Sequence, residues 1–335
     1  MKLTHEQIKN ITFGAAYLDT VNEKTVFHRF TKEQEALYET ISENFYNKSF
    51  ATSCIRLEFE TDSSYLFIKV QIKPRSSRRF YSHDIFVNET LCGTLSGVFE
   101  NDKEVANGIV TSKEFTLGKK GTKKHVCVHL PWSCSSDIIE ISIDDEATVV
   151  PVKKSRKMLC YGDSITQGYD ATYASNSYAS KLTTALNAET RNKGIGGEIF
   201  RPELAKLKDE DFTPDIITVA YGTNDWATEV SRDTFCANID AFFGSLTQNY
   251  SNAKVFAIAP IWRADWQDSH SFGEFLQIKE ELSKVSNRYS NITLIDGFNF
   301  VPANCELFSD KYLHPNDDGF LYYANSLITE LKKHL

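Results

Sequence analysis

The hydrophobic pattern changes its period partway along the chain, and that change limits the possible fold more than any other feature. From about residue 50 to 150, apolar residues recur at every second position: Ile55, Leu57 and Phe59; Leu66, Ile68, Val70 and Ile72; Val126, Val128 and Leu130; Ile139, Ile141 and Ile143. Side chains alternate across a strand, so this period predicts strands with one buried and one wet face. Turn-forming clusters separate them, at Thr61-Asp62-Ser63-Ser64, Lys73-Pro74-Arg75-Ser76-Ser77 and Gly118-Lys119-Lys120-Gly121. Short strands at this spacing predict an antiparallel sandwich or jelly roll, preceded by a short helix over Thr31–Tyr46.

Beyond Pro151-Val152-Lys153-Lys154-Ser155-Arg156-Lys157, a polar, basic stretch that reads as a linker, the alternation stops. Short apolar runs at Met158–Tyr161, Asp215–Tyr221, Lys254–Pro260 and Asn291–Asp296, with a weaker one at Glu189–Lys193, read as buried parallel strands. Helical stretches lie between and after them, at Ser177–Leu186, Arg232–Leu246, Phe272–Tyr289 and Asp317–Leu331. Strand and helix in repeated alternation predict a doubly wound α/β domain. The expected division is a sandwich domain over 1–152 and an α/β domain over 153–335, which suits a chain of 335 residues. In such sheets ligands bind beyond the carboxyl ends of the strands.

Charge and cysteine usage narrow the partners. A formal net charge of −8 repels phosphate backbones and anionic headgroups, so neither nucleic acid nor membrane is an expected partner. The basic runs Arg75–Arg79 and Lys119–Lys124 are interrupted by Ser, Gly or Thr and read as solvated turns. No apolar run approaches membrane-spanning length, and the first residues are polar, without a secretory leader. Seven scattered cysteines, with no Cys-x-x-Cys and no His at zinc-ligand spacing, point to a reducing cytoplasm without a disulfide framework or structural zinc.

Four segments sit where strands end. Tyr161-Gly162-Asp163-Ser164-Ile165-Thr166-Gln167-Gly168 follows the first α/β strand; alone, Gly-Asp-Ser is more often a helix cap than a nucleophile. Asn192-Lys193-Gly194-Ile195-Gly196-Gly197 follows the second strand and is either a plain tight turn or a source of backbone N–H groups. In Tyr221-Gly222-Thr223-Asn224-Asp225-Trp226, Asn224 either leaves the strand in an Asx-turn or donates its amide to a developing oxyanion. Asp310-Lys311-Tyr312-Leu313-His314-Pro315-Asn316-Asp317 holds a histidine, the residue type that activates a serine hydroxyl at neutral pH.

In this order, these four blocks resemble those of the SGNH hydrolase superfamily, the GDSL-type esterases, over about residues 157–335. The first half resembles the β-sandwich that precedes the catalytic domain in a bacterial subgroup. The resemblance implies a flavodoxin-like three-layer α/β/α domain and a serine esterase needing no cofactor or metal. It implies Ser164 as nucleophile, His314 as base, and an oxyanion hole of Ser164 N–H, Gly197 N–H (with Gly196 as fallback) and the Asn224 amide. The family places its acid three residues before the histidine, where this chain has Lys311; Asp310, four before, is taken as the acid, with a Ser–His dyad as the alternative. Asp163, Tyr169, Trp226, Trp262 and Arg263 are the expected substrate-binding residues. The expected substrate is a short acyl ester, acetyl above all, of a small polar alcohol or oligosaccharide. A lipase, thioesterase or lysophospholipase and a non-catalytic glycan-binding relic are the rivals, and the sandwich is free to bind glycan, shape the site or build a homo-oligomer.

Overall fold

The structure, a computed structural model, describes residues 1–228 and 230–335. The alternating segments pair into two antiparallel sheets. One runs, edge to edge, Thr12–Phe13, Arg56–Thr61, Lys124–His129, Phe80–Val87 and Thr90–Val98, with Val150–Pro151 added on Arg56–Thr61. The other runs Tyr17–Val21, Lys24–His28, Cys134–Ser142, Tyr65–Pro74 and Ile109–Thr116. Leu57, Phe59, Ile68, Val70, Ile72, Val126 and Val128, all marked by the period, are buried between the sheets. In Cys134–Ser142 the period slips. The register shifts between Ile138 and Glu140, and Ile138 is buried where the alternation marked Ile139. A bulge sets two residues against one and so reverses the facing beyond it.

The helix expected over Thr31–Tyr46 is two helices, α1 (Lys32–Ile41) and α2 (Glu43–Ser49). Thr31 and Gln34 form a capping box on α1, and Ser42 ends α1 while its side chain caps α2. The second half forms one parallel sheet of β1 (Arg156–Gly162), β2 (Ala188–Gly194), β3 (Ile216–Ala220), β4 (Lys254–Ile258) and β5 (Ile292–Ile295), ordered β2-β1-β3-β4-β5. This is the flavodoxin-like order, with its switch point at the end of β1. A four-residue helix, α3 (Ser164–Gln167), starts there. Helices α4 (Tyr178–Ala185) and α7 (Asp317–Lys332) cover one face, and α5 (Arg232–Asn249) and α6 (Gln277–Ser286) the other. With both faces covered, Leu159, Cys160, Ile217 and Val255 are all buried, which is why these strands show runs rather than alternation.

The two halves are joined by more than a linker. Phe30 and Tyr38, with the partly buried Leu37, Ile41 and Phe45, pack into the core beneath α5 and α6, so α1 and α2 belong to the α/β layers although they lie between sandwich strands in sequence. Arg29, fully buried, donates to the carbonyls of Asn192 at 2.6 Å, Gly194 at 3.0 Å and Lys48 at 3.3 Å, and to that of Ala51. The Lys193 ammonium, equally buried, meets Asp209 at 2.8 Å, Gln34 at 2.9 Å and the carbonyl of Arg29 at 2.7 Å. The basic linker is not free either. Lys154 reaches Glu58 on the sandwich at 2.6 Å. Among the described residues, no helix is long and apolar enough to cross a membrane, and all seven cysteines are free.

Burial alone would raise the Glu58 carboxyl, but the His125 hydrogen bond and the Arg56 and Lys154 charges outweigh it and hold it down at about 2. A carboxyl held below its ordinary 4.5 stabilises the fold fully above that value and loses its contribution as pH falls toward about 2. Glu58→Gln is therefore expected to lower stability by about 2–3 kcal/mol at neutral pH. Urea denaturation at several pH values should show that gap closing as the medium is acidified.

Candidate active site

Ser164 begins α3 directly past β1. Asp163 caps this short helix, its Oδ1 accepting the Ile165 N–H at 2.9 Å. Asp163 is buried, and burial pushes its carboxyl up to about 6 against that hydrogen bond. It serves the turn that presents Ser164. The Ser164 hydroxyl lies 2.9 Å from Nε2 of His314.

Asp310 builds the loop that carries His314. Its Oδ1 accepts the N–H groups of Tyr312 at 3.0 Å, Leu313 at 2.8 Å and His314 at 3.1 Å, while Oδ2 accepts from His314 Nδ1 at 2.7 Å. Lys311 takes a left-handed backbone, φ +58°, and this absorbs the extra residue between acid and histidine. Burial would raise the Asp310 carboxyl; the imidazole and the backbone N–H groups more than offset it and hold it well below the usual carboxylate range. An ionised carboxylate only accepts, so Nδ1 carries the proton and Nε2 is left to accept from Ser164.

A second carboxylate stands behind the imidazole. Asp170 Oδ2 is 3.9 Å from His314 Nδ1, and Arg78, from the loop before Phe80–Val87, grips Asp170 with both Nε and Nη2. Asp170, Asp310 and His314 are close enough together to hold a cation. Their ligand atoms are already engaged with Arg78, with each other and with Ser164, so the set fits a proton relay better than a metal centre. Arg78 also lies over the Tyr169 ring, which stacks on His314 with centroids 5.6 Å apart.

The candidate oxyanion donors come from the ends of β1, β2 and β3. Gly196 gives its N–H to Gln167 Oε1 at 2.9 Å, and a Cβ there would lie 2.8 Å from the Tyr169 ring. Its N–H is therefore spent. Gly197, exposed and at φ +90°, has an N–H with no partner among the described residues, and so does Ser164. Asn224 Nδ2 donates one hydrogen to the carbonyl of Glu198, next to Gly197, at 2.9 Å, leaving its second hydrogen free. Three unspent donors thus stand at the ends of three neighbouring strands of one sheet.

The other expected substrate contacts are placed differently. Trp226 is fully buried; its Nε1 donates to the Gly273 carbonyl and its ring meets His270 and Phe275. Trp262 packs on Phe308. Arg263 is buried and saturated by Asp265, by Thr223 at 2.9 Å and by Tyr312 at 2.9 Å. It braces the Asn224 turn against the histidine loop and has no group left for a ligand. Tyr169 is buried between His314 and Trp132. Sequence reasoning missed Asp170 and Arg78. Arg78 lay in a run read as a solvated turn, although Arg75 in the same run bonds Asn47 and Ser135; pairing across 92 residues of chain leaves no local signal.

A parallel sheet of this order, with these four chain segments gathered at its carboxyl edge, is that of an SGNH hydrolase. Residues 160–320 match the GDSL-like Lipase/Acylhydrolase family. That stretch is a domain of this family, and the protein is an ester-bond hydrolase. No curated protein matches the sequence significantly. Among solved structures, a salicylyl-acyltransferase from a tetracycline biosynthetic pathway is similar over 96% of this chain and 94% of its own, with TM-score 0.83 and 20% identity. A GDSL-like lipase structure from Bacteroides ovatus is similar over 99% and 97%, with TM-score 0.77 and 17% identity. A family two carbohydrate esterase from Clostridium thermocellum, solved with cellohexaose, is similar over 85% and 93%, with TM-score 0.66 and 14% identity. At such identities these likenesses establish a shared architecture across both halves of the chain.

Asp310→Asn retains an acceptor for the three loop N–H groups, whereas Asp310→Ala retains none. The alanine variant is expected to lose about 0.5–1.5 kcal/mol more stability than the asparagine variant, the net worth of ordinary hydrogen bonds at a partly exposed loop. Thermal unfolding of the two proteins side by side measures the difference.

Proposed function

We propose that the protein is a serine esterase that removes short acyl groups, acetyl above all, from a carbohydrate or similar polar alcohol. The observation that carries this reading is the hydrogen-bonded line from Ser164 through His314 to Asp310. His314 takes the Ser164 proton as the hydroxyl attacks the ester carbonyl, and Asp310 stabilises the imidazolium that forms. The free N–H groups of Ser164 and Gly197 and the Asn224 amide receive the oxyanion. Protonated His314 then supplies the leaving alcohol with its proton, and water resolves the acyl-enzyme.

Packing beside the base supports the substrate class. Tyr169, buried between His314 and Trp132, fills the space next to the imidazole with a ring packed on protein, which favours a short acyl group. Beyond His314, a groove of about 470 Å³ opens between sandwich and α/β half, its lining including Phe80, Tyr81, Val98, Ser96, Tyr173 and Ser309. Aromatic rings interspersed with hydroxyls suit a sugar-like alcohol, whose rings carry both apolar faces and hydroxyl edges. This groove takes over the role that the sequence assigned to Trp262 and Arg263.

Activity on p-nitrophenyl esters should fall steeply as the acyl chain lengthens beyond a few carbons; a preference for long chains would overturn the substrate class. Asn224→Ala is expected to cut kcat on the order of a hundredfold, the usual result of losing one oxyanion donor. Fluorophosphonate labelling should occur in the wild type and vanish in Ser164→Ala. Acyl transfer to an added alcohol is the second outcome to measure, because an acyltransferase shares the fold across both halves.

A further inference from the structure

The geometry points to Lys48, on α2, as a positioning residue that strengthens the oxyanion hole through the Gly196–Gly197 peptide. The Lys48 ammonium donates to the Gly196 carbonyl at 2.8 Å. That carbonyl and the Gly197 N–H are the two ends of one amide. Amide resonance couples them: a cation on the oxygen draws electron density from nitrogen and makes the N–H a better donor. A charged donor binds about twice as strongly as a neutral one, so the effect exceeds that of an ordinary backbone hydrogen bond. The inference rests on Gly197 N–H being an oxyanion donor, as proposed above.

The surroundings favour this use of the charge. Phe45, one turn earlier on α2, has the atom nearest to a Cβ built on Gly197, at 4.0 Å, and its ring lies 5.6 Å from the Lys48 ammonium. The Lys48–Gly196 bond is partly buried beside this ring, and a lower local dielectric there makes the cation more effective than in open water. Arg29 holds the Lys48 carbonyl together with those of Asn192 and Gly194. Two cations from the chain's first 50 residues thus occupy the carbonyl side of the glycine-rich turn, leaving its Gly197 N–H free for the site.

Steady-state kinetics on p-nitrophenyl acetate with Lys48→Met, Lys48→Gln and Lys48→Arg tests this. Met and Gln are expected to lower kcat about three- to tenfold with KM nearly unchanged, a fraction of one donor's full effect. Arg, which keeps the charge, should retain most of the rate. Affinity for a trifluoromethyl ketone, whose serine adduct places an oxyanion in the hole, should fall by the same factor as kcat. If Met disturbs the thermal midpoint, Gln and Arg, both hydrogen-bonding and differing in charge, carry the comparison. Wild-type kcat in Lys48→Gln, or a raised KM at unchanged kcat, overturns the inference. Asn224→Ala run alongside separates the two levels. An unaffected rate there sinks the oxyanion-hole assignment itself, whereas a large loss there beside normal Lys48 variants sinks only the role of Lys48.

Discussion

A guanidinium buried without water must have its charge and its donors met by protein, or it does not stay buried. Arg29 meets that requirement with four carbonyls, two from its own end of the chain and two from the last residues of β2. None of the four is free to leave without stranding a charge in a dry interior. This fixes where α2 sits on the α/β half, and with it Phe45 and the turn that carries the glycines. Lys193, between those two residues on β2, and Asp209 repeat the arrangement, with Gln34 of α1 as the bridging amide. The site is thus assembled between two stretches of chain that each need the other to satisfy buried charge.

On the far side of the serine the organising group is Asp310. One oxygen shapes the loop and the other holds the ring, so the conformation of the loop and the tautomer of the histidine are a single problem with a single solution. The left-handed Lys311 is a local strain of the kind that persists where surrounding hydrogen bonds over-determine the backbone. Arg78 and Asp170 extend this to the sandwich, and Arg263 ties the same loop to the turn bearing Asn224.

Much of the architecture was legible because period is a direct image of burial. The alternation at Leu66–Ile72 and the runs at Met158–Tyr161 and Lys254–Pro260 report one wet face or none. The four site segments were legible because short spacing on a strand end carries their chemistry. What escaped was long-range: α1 and α2 read as a prelude to the sandwich, yet they pack under α5, since an amphipathic helix does not name its partner. Trp226, Trp262 and Arg263 read as ligand contacts because aromatic and cationic residues at a strand end look alike whether they face solvent or protein. The slip at Ile138 escaped because a bulge has no composition of its own.

The bonds from Arg29 to Asn192 and Gly194 close over 163 and 165 residues of chain. Contacts of such separation carry a large loop-closure entropy and form late. The first 50 residues therefore leave the ribosome long before the sheet they complete exists. Until β2 is made, Phe30, Tyr38 and Phe45 have no core to enter, and Arg29 remains hydrated. Synthesis order and assembly order run in opposite directions in this chain. The partly made protein carries Phe30, Tyr38 and Phe45 on a stretch whose apolar face only the later α/β half covers.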